Sequence, residues 1–200
     1  MDKTEALRHI RDEVVGLKNS PLYEFRLENG YHAVLGEGSH DARIMFVGEA
    51  PGRSEAEQGR PFCGRAGKLL DELLAGVGIP RGDVYITNIL KDRPPENRDP
   101  LPEEIALYGP FLDRQIEIIG PKVLVTLGRY AMEYLMRKYG LEGELEPISS
   151  AHGTVHTVSG LFGNVTVVPM YHPAAAIYTQ SLIPVLKKDF EVLKQFYGVR

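Results

Sequence analysis

RIMFVGEAPG, residues 43–52, is apolar at every position from Ile44 to Val47 and then stops at two glycines set around a proline. A strand with one wet face alternates apolar and polar side chains, whereas a strand buried on both faces does not. The run therefore predicts a central strand, Arg43–Val47, covered by helices on both sides and leaving through a tight turn. Val84–Asn88 (VYITN), Val123–Leu127 (VLVTL) and Val165–Met170 (VTVVPM) repeat the pattern. Around these strands, apolar residues recur at three- and four-residue spacing over Thr4–Val15, Ala66–Ala75, Pro102–Ile119, Arg129–Lys138 and Leu182–Phe196, as in Leu69, Leu70, Leu73 and Leu74. Strands alternating with amphipathic helices predict an α/β domain on a mostly parallel sheet. The segment DRPPENRDPLP, residues 92–102, is too rich in proline and charge for either element and reads as an exposed loop.

A chain of 200 residues with 43% hydrophobic content is enough for one sizeable core, so residues 1–200 are expected to form a single domain. The N-terminus, MDKTEALRHIRDEVV, is charged throughout, and no apolar run of about 18 residues follows it. Neither a membrane span nor a signal peptide is expected, which points to the cytoplasm. One cysteine, Cys63, forms no internal disulfide and cannot alone build a four-thiolate metal site. The net charge of −4 argues against coating nucleic acid by bulk electrostatics, so any contact with it needs a local basic patch.

In an open parallel sheet, ligands bind beyond the carboxyl ends of the strands. Here those ends carry Gly48-Glu49-Ala50-Pro51-Gly52, Thr87-Asn88 and Tyr171-His172-Pro173. The glycines let backbone approach a ligand and turn its amides outward, and Pro51 stiffens the turn. About ten residues later, GRPFCGRAG (59–67) places Phe62 between a proline and glycines. Phe62 reads either as a core plug or as a platform for a stacked base. His172 reads as a hydrogen-bonded structural residue or as a catalyst, and Asn88 as a strand-end cap or a reader of a polar edge. Taken together, an amide, an imidazole, an aromatic ring and a glycine turn at one sheet edge can hold a planar heterocycle with donor and acceptor edges.

GEAPG, GRPFCGRAGKLL, TNILKDRPPENRDP, PKVLVTLG and YHPA occur here in that order. In these five motifs, spread through most of the chain, the sequence resembles the family 4 uracil-DNA glycosylases. The resemblance implies a three-layer α/β/α fold with a central four-stranded parallel sheet, and a repair enzyme that flips uracil out of DNA and cuts its glycosidic bond. It further implies that Phe62 stacks on the uracil ring, that Asn88 reads its polar edge, that His172 donates to a ring oxygen, and that Glu49, Ala50, Pro51 and Gly52 lie against base and sugar. These roles suit the chemistry, because bond cleavage leaves negative charge on uracil and donors placed there lower the barrier.

The sequence also departs from that family. Its members typically hold a four-iron, four-sulfur cluster on four cysteines, and the matching positions here are Leu17, Ser20, Asp92 and Tyr108. No iron–sulfur cluster and no other metal is expected, with Tyr108 and Leu17 filling the volume and Asp92 and Ser20 bonding nearby backbone or each other. Some relatives in the wider superfamily place a water-positioning aspartate where this chain has Ala50, so Glu49 is the expected substitute, with Glu55 and Glu57 also near in sequence. An arginine often lies six residues after the histidine, where this chain has Tyr178. Ile177 beside it reads as an apolar wedge for the gap left by a flipped base, or as a core residue. Phosphate contacts are expected from Arg60, Arg65, Lys91, Arg93 and Arg98. A monomer acting on uracil-containing DNA is the favoured reading. Excision of hypoxanthine or xanthine, and a non-catalytic nucleic-acid reader, are the alternatives.

Overall fold

The computed structural model describes residues 2–160 and 163–198. In chain order it runs α1 (Lys3–Val15), α2 (Tyr23–Glu28), β1 (Glu37–Gly38), β2 (Ile44–Gly48), α3 (Arg53–Gln58), α4 (Arg65–Gly76), β3 (Tyr85–Asn88), α5 (Pro102–Ile119), β4 (Val123–Leu127), α6 (Arg129–Lys138), α7 (Ile148–Ala151), β5 (His156–Gly160), β6 (Gly163–Met170), α8 (Pro173–Tyr178) and α9 (Leu182–Glu191). Among the described residues, no helix is long and apolar enough to cross a membrane.

Among the described residues the sheet has six strands in the order β1-β3-β2-β4-β6-β5, not the four expected from sequence. The four expected strands, β3, β2, β4 and β6, are its parallel centre. The two additional strands are antiparallel edges, β1 on β3 and β5 on β6. Along β2, Ile44 and Phe46 enter one core with Leu70, Leu73 and Phe190 from α4 and α9. Met45 and Val47 enter the other with Ile10, Leu112 and Leu135 from α1, α5 and α6. Both faces are covered by helices, which is why the strand sequence is apolar at successive positions.

The 92–102 segment is less exposed than its composition predicts. Asp92 is 1% exposed and pairs with Arg26, itself 5% exposed, through Arg26 Nη1 at 3.0 and 3.1 Å from the two carboxylate oxygens. The Tyr108 hydroxyl donates to Asp92 Oδ2 at 2.6 Å and lies 2.7 Å from Ser20 Oγ. Arg26 also donates to the carbonyls of Val14 and Val15. A buried charge survives only when it is paired and its remaining hydrogen-bonding capacity is met. This network meets that condition and ties α1, α2, α5 and the start of the loop at one point.

Breaking a buried pair from one side leaves the other charge uncompensated, at a cost of about 3–5 kcal/mol. Arg26→Met is therefore expected to lower unfolding free energy in urea by about that amount. Arg11→Met, which removes a surface pair with Asp12, should change it little.

Candidate active site

Beyond the carboxyl ends of β2, β3 and β6 lies a cavity of about 330 Å³. Glu49, Ala50, Pro51, Gly52, Phe62, Asn88 and His172 all line it, so the structure brings the base-contacting residues expected from sequence to one place. The strand ends are locked together. Ile89 N–H donates to the Gly48 carbonyl and Leu90 N–H to the Glu49 carbonyl, both at 3.0 Å, fixing Asn88 relative to the glycine turn.

Gly48 is where the packing is tightest. A Cβ there would collide with Asn88 Oδ1 and lie 2.8 Å from the Phe62 ring. Phe62 adopts φ 47°, a left-handed conformation that costs a non-glycine residue energy. Two contacts hold it there. Gly67 has no Cβ to strike the Phe62 carbonyl, and Glu55 Oε1 accepts from the amides of Cys63 and Gly64, at 3.0 and 2.8 Å. Glu55 thus organises the phenylalanine loop, while Glu57 sits in an exposed pair with Arg53. The Phe62 ring stacks on His172 with centroids 5.4 Å apart.

Asn88 is 2% exposed and its Oδ1 has no hydrogen-bond partner. His172 caps the N-terminus of α8, and its Nδ1 accepts from the Ala174 amide at 3.1 Å. That bond puts the ring proton on Nε2. Burial pushes the His172 pKa down to about 4, so at neutral pH the ring is an uncharged Nε2–H donor. Glu49 shifts the other way, up to about 7, chiefly through burial and then through the nearby Asp99 carboxylate, against the pull of Arg129. Neighbouring carboxyl and imidazole groups pushed in opposite directions are a usual feature of sites that handle protons.

The expected phosphate contacts divide. Arg98 lines the cavity and is held by both oxygens of buried Glu104. Arg60 and Arg65 are exposed, Arg60 being paired with Glu37. Arg93 is partly buried, bonded to Asn97 and the Tyr31 hydroxyl. Lys91 is a correction, because it is wholly buried. Its Nζ donates to Thr87 Oγ1, the Asn88 carbonyl and Gln115 Oε1, at 2.8, 2.7 and 2.6 Å. Burial pushes this amine well below its usual pKa, and it buttresses the strand end instead of meeting DNA. Ile177 is half-buried on α8. Sequence reading missed Arg129, which donates to Asp99 and to the Tyr130 hydroxyl beside Glu49. Its position directly after the β4 turn, at another strand end, is the signal that marks it.

Residues 35–197 match the model of the uracil DNA glycosylase superfamily. The chain belongs to that superfamily. It is 43% identical to the type-4 uracil-DNA glycosylase of Archaeoglobus fulgidus over 97% of this chain and 94% of the relative. It is also 43% identical to the type-4 enzyme of Sulfurisphaera tokodaii, over 96% of this chain and 84% of the relative. The type-5 uracil-DNA glycosylase of Thermus thermophilus is more distant, 34% identical over 75% of this chain. The stretch matched by the superfamily model spans all of the cavity residues named above.

The shifted groups give a signed expectation. Raising the folded pKa of Glu49 favours its protonated form, so its contribution to stability is full below pH 4.5 and is lost as pH rises through about 7. The stability of the wild type relative to Glu49→Gln should fall across that window and then level off, as read by urea unfolding at a series of pH values. Carbon-13 NMR should show the Glu49 carboxyl titrating near pH 7 while His172 stays neutral.

Proposed function

We propose that this superfamily member is a uracil-DNA glycosylase that hydrolyses the bond between uracil and deoxyribose and leaves an abasic site. The observation that carries this reading is the unpartnered, buried Oδ1 of Asn88, a residue that lines the cavity and packs with the Phe62 ring against Gly48. A buried acceptor left without a donor costs about 1–3 kcal/mol, and the N3–H of uracil is the donor it lacks. Asn88 Nδ2 then donates to uracil O4. Cytosine offers an acceptor at N3 and a donor at N4, so both contacts turn repulsive.

With the ring on Phe62, the neutral His172 Nε2–H donates to uracil O2. As the N1–C1′ bond breaks, its electron pair passes into the uracil ring and charge grows on O2 and O4, where His172 and Asn88 stand. Donors already in place for such charge are typically worth about 10²–10³ in rate each. The sugar is left electron-poor at C1′ and takes the oxygen of a water molecule. Glu49, ionised above pH 7, holds that water and accepts its proton. The enzyme acts as a single-domain cytoplasmic monomer, with Arg60, Arg65 and Arg98 supplying phosphate contacts.

The four positions that carry cluster cysteines in similar proteins do not fit an iron–sulfur cluster here. Leu17 has no donor atom, Asp92 is consumed by Arg26, and Ser20 and Tyr108 are bonded within the same network. Cys63 lies apart, in the phenylalanine loop. The protein works without a cluster, the buried polar network holding the same segments together.

On single-uracil DNA, the wild type is expected to give abasic sites cleaved by alkali. His172→Ala and Asn88→Ala should each lose about 10²-fold or more. No product from the wild type, with cleavage of hypoxanthine or xanthine DNA instead, would replace uracil as the substrate. Binding with no product on any lesion would make the chain a reader. The rate should climb with pH to a plateau above about 7, and Glu49→Gln should be slow and flat over the same range. Protein purified from iron-replete cells should hold no stoichiometric iron and no absorbance near 400 nm.

A further inference from the structure

A second cavity, of about 390 Å³, lies at the amino ends of β2, β4 and β6, across the sheet from the one that Asn88 and His172 line. Its size falls within the range of about 300–1,000 Å³ usual for small-molecule sites. Arg43, Lys122, Thr157, Asn164, Thr166 and Phe196 line it. Arg43 and Lys122 immediately precede the paired residues Ile44 and Val123, and the amides of Lys122 and Val123 both donate to the Arg43 carbonyl, at 2.9 and 3.1 Å. Two cations are thereby set side by side on adjacent strands, an arrangement that costs stability unless an anion lies between them. Elsewhere on the surface Arg11, Arg53, Arg60 and Arg114 each have a carboxylate partner, whereas Arg43 and Lys122 have none among the described residues.

The other walls suit the rest of a phosphate-bearing molecule. Lys122 Nζ reaches onto β6, where a Cβ on Gly163 would lie 3.5 Å from it. Thr166, buried at 6% exposure, meets Thr157 hydroxyl to hydroxyl at 3.0 Å, so one proton closes that bond and the other is left for a ligand. Phe196, beyond the end of α9, is half-buried and packs on the core, which holds its ring at the cavity wall. We propose that this cavity binds a nucleoside monophosphate, with the phosphate between Arg43 and Lys122, the base against Phe196, and Thr157, Thr166 and Asn164 meeting polar atoms of sugar or base. A terminal phosphate carries about −1.5 to −2 charges at neutral pH, which two cations balance, whereas each phosphodiester of a strand carries one. Arginine supplies paired donors to phosphate oxygens and lysine a point charge. An aromatic ring gives any base a stacking face. This site stands apart from the glycosylase reading and does not depend on it.

The test is titration calorimetry at low salt with deoxyadenosine 5′-monophosphate, deoxyadenosine, inorganic phosphate and an oligonucleotide without a terminal phosphate, joined to amide NMR of the protein with each probe. Adenine is chosen because its edge differs from the uracil edge that Asn88 is placed to read. The monophosphate should bind and move the amides around Lys122, Thr157 and Thr166, leaving those of Asn88 and His172 in place. The double variant Arg43→Gln/Lys122→Gln should lose about ten-fold or more in affinity. Its urea midpoint should not fall, since a repulsion has been removed, and its uracil excision should match the wild type. Phe196→Leu should weaken the monophosphate and leave inorganic phosphate unchanged. No binding, shifts confined to the Asn88 cavity, or unchanged affinity in the double variant would overturn the proposal. So would inorganic phosphate or the oligonucleotide binding as tightly as the monophosphate. Excision of uracil is measured separately, so either conclusion can fail without the other.

Discussion

The pocket depends on the missing side chain at Gly48. At the carboxyl end of the central strand the asparagine of β3 and the phenylalanine of the 59–67 loop meet, and any Cβ there would occupy the space both use. Glycine at that point is a steric requirement set by two neighbours, not by its own backbone angles. From it follow the burial of the Asn88 amide, its unpartnered oxygen and the seating of an aromatic ring beside it. The left-handed Phe62 is the energetic counterpart, held by Gly67 and by the Glu55 carboxylate on the loop amides.

A second set of buried polar groups keeps this geometry in register. Lys91 grips the Asn88 carbonyl from behind, with Thr87 and Gln115 taking its other two protons. The next residue, Asp92, is held by Arg26 and Tyr108, so two consecutive side chains after the asparagine anchor the loop whose Pro94, Asn97 and Arg98 close the cavity. Such networks are costly if half-satisfied and specific if complete. Here each member has its partners, which allows a segment of prolines and charges to form a defined wall.

The central strands and the helices Pro102–Ile119 and Arg129–Lys138 were legible because burial on both faces, and periodic burial on one, write themselves directly into hydrophobic pattern. The edge strands were not. Glu37–Gly38 is two residues long, and His156–Gly160 is largely polar, so neither carries a pattern. Convergence of Phe62, Asn88 and His172 followed from strand-end logic. The burial of Lys91 and Asp92 is not legible in the sequence for one reason, that charge in a loop sequence says nothing of which way a side chain points. Their partners, Gln115 and Arg26, lie 24 and 66 residues away in the chain. The shifts at Glu49 and His172 likewise depend on surroundings assembled from several strand ends.

The central claim is that the buried oxygen of Asn88 is a receptor for the N3–H of uracil. It is tested most directly by comparing free uracil with 3-methyluracil as inhibitors of excision. Uracil should inhibit, and 3-methyluracil, which has lost that donor and carries a methyl group in its place, should bind about ten-fold more weakly or worse. Equal inhibition by the two would contradict it.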